Sequence, residues 1–328
     1  MTSPVPTTKI TSRVHPLMVF ALVIGLLALY PIVFGSFMNF GISTLLLGGL
    51  ALSWDIVGGW TGQNSLGHAA LVGIGAYTMT LLAEALHLSP FFGTIAGMML
   101  AALVAWGWGS LTFRLRGSYF TLSSIAVAEI IRLIVLNESW LTNGAEGKSL
   151  STFDLPDFLY ERKPEYYLVL GFVALVLLFG HYLKFSKLGF YLKAVREDEE
   201  SAMALGVNPA KAKLIAFAIS AAFTALGGSL YAIYLQAFEP DTFLLTATSI
   251  QIALLAIIGG RGTIYGPLVG SFVLAIPSEF FRSQLQEANL LVYGILIVVV
   301  ILYLPKGVMG TLEHWFYKKN HLLDKGNL

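Results

Sequence analysis

The chain has no cysteine in 328 residues and little charge, since aspartate, glutamate, lysine and arginine together make up only 12%. Without thiols it forms no disulfide, no thiolate metal site and no cysteine nucleophile, although this does not define a redox compartment. Lysine and arginine total 20 against 19 acidic residues, a net charge of +1, and there is no basic stripe of the kind that neutralises nucleic-acid phosphates. Serine/glycine linkers and low-complexity tracts are also missing, so residues 1–328 read as a single domain. What remains is apolar: 56% of residues are hydrophobic and the mean hydropathy is +0.74. Such a composition predicts several bilayer-crossing helices, not one soluble core. The predicted fold class is all-α, a polytopic transmembrane helical bundle.

About ten spans are predicted, at 17–34, 38–57, 66–83, 91–113, 119–136, 166–183, 214–236, 244–258, 264–281 and 290–304. Each is near the ~20 residues a helix needs to cross a bilayer. The polar start, 1–13, leads into an apolar run too long for a signal-peptide core and without an A-x-A site, so the first span is predicted to be retained. With the N-terminus inside, 15 of the 20 lysines and arginines fall on inside segments. Lys148, Arg162, Lys163 and Arg282 fall outside, and Arg132 lies within a span. This bias predicts a multi-pass membrane protein with a cytoplasmic N-terminal segment (1–16), a cytoplasmic loop (184–213) and a cytoplasmic tail (305–328). The loop 137–165 is then extracytoplasmic, and its six acidic residues suit an extracytoplasmic partner.

The 184–213 loop carries the most specific local signals. Glu197, Asp198, Glu199 and Glu200 place negative charge where a short helix begins, and Gly206 supplies a left-handed C-cap after Leu205. Asn208 then N-caps the next helix, with Pro209 at its first position. The predicted element is a helix of about two turns, with Val195, Ala202 and Leu205 near one face and acidic residues on the other. It fits a protein groove, or equally a plain interfacial connector with a solvated charge run.

Two glycine-dense breaks, Gly58-Gly59-Trp60-Thr61-Gly62 and Gly259-Gly260-Arg261-Gly262, divide the second from the third span and the eighth from the ninth. They read either as unwound segments with backbone groups free for a substrate or as tight cytoplasmic turns. Around the first lie Asp55, Gln63, Asn64 and His68; Glu129 and Arg132, three apart, can pair on one helix face. Either set can meet a zwitterionic solute, while the plainer readings are a neutralised pair and a hydrogen-bonded core histidine. Gly93-x-x-x-Gly97 and Gly266-x-x-x-Gly270 read as helix-packing contacts. Gly147-Lys148-Ser149 imitates a phosphate loop, but the glycine required five places before Gly147 is Thr142. The chain therefore carries no nucleotide site, and no nucleophile–base or metal constellation marks an enzyme.

The stretch from Ala194 to Gln236 resembles the cytoplasmic loop and following helix of branched-chain amino acid ABC-importer permeases. Further similarity lies in Ser65 to Ala70 with Gly73 to Tyr77, Arg114 to Phe120, Leu141 to Gly144, Gly259 to Pro267 and Leu304 to Gly307. Within that family the chain most resembles the M-type permease. Trp60 to Asn64 and Ser118 depart from the commonest family wording, and urea and amide permeases share much of the pattern, so import of urea or short amides is the alternative substrate reading. The resemblance implies a second related permease, two separate ATPase subunits that hold ATP and magnesium, and a periplasmic substrate-binding protein. It implies no cofactor in this chain. Glu197, Asp198, Ala202, Leu205 and Gly206 would form a coupling helix seated in an ATPase groove. Asp55, Gly58, Gly59, Gln63, Asn64, His68, Glu129, Arg132, Gly259 and Gly260 are the candidate pathway residues. A passive channel lacks its filter sequence here, and an ion-coupled carrier lacks enough mid-membrane carboxylates.

Overall fold

The computed structural model describes residues 16–87, 89–113, 118–150, 161–285, 294–295, 298–299, 302–304 and 307–312. Long helices dominate: α1 (Pro16–Val33), α2 (Met38–Gly58), α3 (His68–Leu86), α4 (Pro90–Thr112) and α5 (Ser118–Asn137) come first. A short α6 (Ser139–Thr142) precedes α7 (Arg162–Phe185), α8 (Lys187–Glu197), α9 (Glu199–Ala204) and α10 (Pro209–Leu235). Then follow α11 (Pro240–Leu244), α12 (Thr246–Gly259) and α13 (Gly266–Leu285). Among the described residues seven helices are long and apolar enough to cross a membrane, and the apolar stretches Met18–Val33 and Gly266–Phe280 are shorter. Nine of the predicted spans thus correspond to helices. Most of the tenth, 290–304, lies outside the described residues, as do residues 1–15 and most of the tail 305–328.

In lipid, helices gain no hydrophobic advantage by associating, so close packing of small residues holds a bundle together. Glycines supply it here. A Cβ on Gly93 would come within 2.9 Å of the Met79 backbone, and one on Gly97 within 3.3 Å of Gly75, so α4 lies directly on α3. A Cβ on Gly228 would strike the Val72 carbonyl, which sets α10 against α3 in the same way. The central helix is α2, 83% buried across its apolar window, whereas α5 is only 17% buried and presents its sides outward. Buried Trp54, Leu50, Val72, Met79 and Ile252 form one core where α2, α3 and α12 meet. Trp108, Phe113, Phe120 and Phe217 form an aromatic cluster between α4, α5 and α10.

Three local departures from the sequence reading have physical causes. The eighth span starts earlier, at Pro240, and is divided into α11 and α12 by the extended Leu245. The third starts at His68, since residues 59–67 fold back along the end of α2, where Trp54 Nε1 donates to the Ser65 carbonyl at 2.6 Å. Among the described residues the all-α class holds except for one two-residue antiparallel pair, β1 (Lys148–Ser149) with β2 (Ala237–Phe238). That pair engages the phosphate-loop lookalike: Lys148 Nζ donates to Glu84 at 2.6 Å, tying the 137–150 segment to the end of α3.

Candidate functional site

The connection between α7 and α10 contains two helices where one was predicted. Ser186 caps the first, its hydroxyl accepting from Gly189 N at 3.1 Å, and Leu192 and Val195 of α8 are buried. This helix is invisible to a charge-based reading because its basic residues look like a solvated loop. Asp198 is extended (φ −160°, ψ 120°) and breaks the predicted helix in two. Its carboxylate accepts from Ser201 N at 2.7 Å and so caps α9. Hydrogen bonds from the Ser201 hydroxyl and amide hold that carboxyl below the usual carboxylate range.

At the other end of α9, Gly206 has φ +83°. Its N–H donates to Met203 O (2.9 Å) and Val207 N to Ala202 O (3.0 Å), the paired bonds of a Schellman cap. Asn208 Oδ1 accepts from Lys211 N at 3.0 Å, with Pro209 opening α10. The predicted apolar face does not survive this geometry: Ala202 is buried as an anchor, whereas Leu205 is 81% exposed. Met203, which the sequence reading overlooked, stands beside Leu205 at the tip, 47% exposed. Glu197 and Asp198 are exposed as well. Glu199 instead turns back and pairs with the buried Lys213 of α10.

The two glycine breaks meet at this end of the bundle. Both carboxylate oxygens of Asp55, a residue 2% exposed, accept from Gly262 N, at 2.8 and 3.0 Å. Arg196 of α8 donates through Nη1 to Gly59 O at 2.7 Å. Thr121 Oγ1 donates to Asn64 O at 2.8 Å, and Ser124 Oγ accepts from Leu66 N at 2.9 Å. Of the two readings of the breaks, an unwound segment would leave backbone groups free for a substrate; here Gly59 O is engaged by Arg196 and Gly262 N by Asp55. Gly58 is buried at the end of α2, Gln63 is half-buried and Asn64 is exposed. Gly259 and Gly260 are buried, and Gly259 lies against Gly266 and Gly270 where α12 turns into α13.

His68 is fully buried and both its ring nitrogens are bonded: Nδ1 to Ser65 Oγ at 3.0 Å and Nε2 to Ser220 Oγ at 2.9 Å. Ser220 gives its own proton to Ser53 O at 2.6 Å, so Nε2 donates and Nδ1 accepts from Ser65. The neutral ring joins α2, α3 and α10. At the opposite end of the bundle, Arg132 pairs with Glu129 at 2.8 Å, as the spacing predicts, and also with Asp241 of α11 at 2.8 Å. Neither His68 nor Arg132 lines the main cavity.

That cavity, about 590 Å³, lies between α2, α12 and α13. Leu47, Ile250, Leu254 and Leu274 give it aliphatic walls, and Ser43, Gln251 and Ser278 add polar groups. Thr44 is 1% exposed and lines it, and its Oγ1 has no hydrogen-bond partner. A second cavity of about 430 Å³, lined by Trp54, Asn64, Thr121 and Ile257, continues along the same two helices α2 and α12 toward the glycine breaks. The stripe of α12 at 247, 250, 251, 254 and 257, exposed at 247 and 250 and half-buried beyond, follows helical spacing along both cavities. Hydroxyl and amide positions scattered among aliphatic ones carry no motif, so sequence reading had no signal for them.

The family model described as "Branched-chain amino acid transport system / permease component" matches residues 36–301. The high-affinity branched-chain amino acid transport system permease protein LivM of Escherichia coli K12 is 30% identical over 83% of this chain and 69% of its own length. The LivH permease of the same organism is 22% identical over 80% of this chain and 91% of its own, and the probable LivM of Methanocaldococcus jannaschii is 24% identical over 75% and 72%. No solved structure matches the chain. The match runs through both glycine breaks, the α8–α9 connection and the helices that line the cavities, and the chain accordingly belongs to the branched-chain amino acid permease family, as a multi-pass membrane transport component of the M type.

Proposed function

We propose that the chain is one half of a permease pair in an ATP-driven importer of branched-chain amino acids, located in a bacterial inner membrane with both termini in the cytosol. The observation that carries this reading is the family match over residues 36–301. LivM and LivH relatives both align to the chain, which fits pairing with a second, related permease. ATP and magnesium belong to two separate ATPase subunits, and a periplasmic binding protein delivers the solute to the end of the bundle that carries β1 and β2.

In this reading the α8–α9 connection meets the ATPase. Met203 and Leu205 offer an apolar tip, while Glu197 and Asp198 give orientation more than affinity. Rigid docking requires a loop that keeps its shape, and caps at both ends of α9 supply that. The transported solute passes along the α2, α12 and α13 face, whose aliphatic walls suit leucine, isoleucine and valine side chains. The partner permease closes the open side. Ligand pockets of about 300–1,000 Å³ are the usual range, and the larger cavity falls within it. Ser43, Gln251 and Ser278 are the polar groups that line that cavity and can meet a zwitterionic backbone.

Affinity purification from native membranes tests the assignment. An ATPase and a binding protein are expected to copurify, and the binding protein's ligand names the solute. Charge reversal at Glu197 and Asp198 together lowers solute-stimulated ATP hydrolysis by about tenfold with insertion intact. Unchanged stimulation in that variant removes the loop from the mechanism.

A further inference from the structure

The three helices that line the larger cavity all end or begin in one small cluster at the loop end of the molecule. There α2 stops at Gly58, α12 stops at Gly259 and α13 starts at Gly266. The Asp55 carboxylate binds the Gly262 amide and so ties the second break to the last turn of α2. Contact is close enough that a Cβ on Gly59 would strike both that carboxylate and Gly262 N. Gly262 itself has φ +75°, a conformation that disfavours any side chain.

Arg196 lies across this cluster from outside. Its Cγ would be 3.3 Å from a Cβ on Gly62, its Nη1 donates to Gly59 O, and the same nitrogen occupies the space a side chain at Gly262 would need. A single side chain therefore touches both breaks. It stands two residues before Asp198, where α8 gives way to the ATPase-facing tip, and α8 is anchored beneath by Leu192 and Val195. A short helix moves as a unit, so a shift of α8 reaches Gly59 and Gly262 without an intervening flexible segment.

We propose that Arg196 is a positioning residue that carries movement of the α8–α9 loop to the joined inner ends of α2, α12 and α13. The inference rests on the reading of that loop as the ATPase-facing element, and it adds the route from the loop to the transport helices. The joint is built for small displacements. The Asp55–Gly262 bond keeps the two breaks together, so whatever moves Gly59 moves the start of α13 as well. The Arg196 contact is a single charged hydrogen bond from a solvent-exposed side chain, which a shift of α8 can make or break.

The test uses the whole importer, purified with its ATPase and reconstituted into vesicles, with leucine uptake and ATP hydrolysis measured together. Arg196→Gln is expected to unfold at the wild-type temperature and keep its ATPase subunits, yet to lose about tenfold in leucine transported per ATP hydrolysed. Arg196→Lys, which can still donate to Gly59 O, recovers part of that loss. Gly262→Ala crowds the same guanidinium from the opposite side and produces the same uncoupling. Uptake per ATP within about twofold of wild type in Arg196→Gln overturns the proposal. So does loss of the ATPase from that variant, which would make Arg196 a docking residue. If Arg196→Gln fails to insert, Arg196→Met, which keeps the stem against Gly62 and removes the donor, decides: uncoupled transport supports the proposal and wild-type coupling overturns it. Failure of the loop reading looks different, because the Glu197 and Asp198 reversal then leaves stimulated hydrolysis unchanged.

Discussion

Asp198 and Glu199 are neighbours in an acidic run, yet they do different work. Asp198 is an N-cap whose carboxyl is held below the ordinary carboxylate range by Ser201. Because the folded value is depressed, this contribution to loop order is fully present at neutral pH and is lost as pH falls through that lowered value. Asp198→Ala is expected to speed amide exchange at Ser201 through Leu205, while Asp198→Asn, an equally good cap, leaves it unchanged at neutral pH. Hydrogen exchange of the detergent-solubilised protein checks both. Glu199 neutralises Lys213, which is 2% exposed. Removing one partner of a fully buried pair costs about 3–5 kcal/mol. Glu199 is itself 35% exposed, so screening reduces the expected loss for Glu199→Ala to about 1–2 kcal/mol. Adding Lys213→Met to that variant restores most of it, and thermal unfolding in detergent reads the difference. Charge composition alone could not separate these two carboxylates, because their roles depend on which helix end each one faces.

Helices are where sequence and structure agree most closely. Periodic apolar runs and capping residues located α2, α4, α7 and α10 to within a few residues, and the Gly206, Asn208 and Pro209 signals appear as predicted. What escaped is α8, whose buried side is narrow: Leu192 and Val195 are buried, and Leu192 packs in one cluster with Leu183 of α7 and Ala212 and Ala216 of α10. Packing between helices rests on missing side chains more than on present ones. Gly228→Ala is expected to push α10 from α3 by placing a methyl on the Val72 carbonyl, at a cost of about 1–3 kcal/mol in detergent unfolding. Ser220→Ala acts on the same junction differently. It leaves His68 Nε2 without its partner inside the core, at an expected cost of about 1–3 kcal/mol. In neither variant do the cavity walls change, so whatever protein folds retains leucine uptake.

For the molecule as a whole, the cavity face lies on α2, α12 and α13, and the loop between α7 and α10 reaches the end of α2 through the Arg196 bond to Gly59 O. Ser43→Trp fills the larger cavity from α2 without touching the loop. It is expected to reduce leucine uptake in vesicles by about tenfold or more, with ATPase association unaffected. Wild-type uptake in that variant would move the solute route elsewhere. The same substitution distinguishes the α2–α12 face from the outer charge cluster of Glu129, Arg132 and Asp241. Arg132 bridges the two carboxylates across α5 and α11, and loss of these side chains is expected to weaken that helix contact before it alters the solute.

Composition by itself determined that the chain is an all-helical membrane protein, and local patterns determined where most helices run and where α9 is capped. Both follow from short-range physics: lipid demands apolar helices with satisfied backbones, and caps need only residues three or four apart. The tertiary structure alone decided that Gly59, Gly262, Asp55 and Arg196 form one joint. It also decided that His68 is a structural link and that scattered hydroxyls on α2 and α13 face a common cavity. Those partners stand up to 207 residues apart, and no local pattern records which distant backbone amide will fill a buried carboxylate.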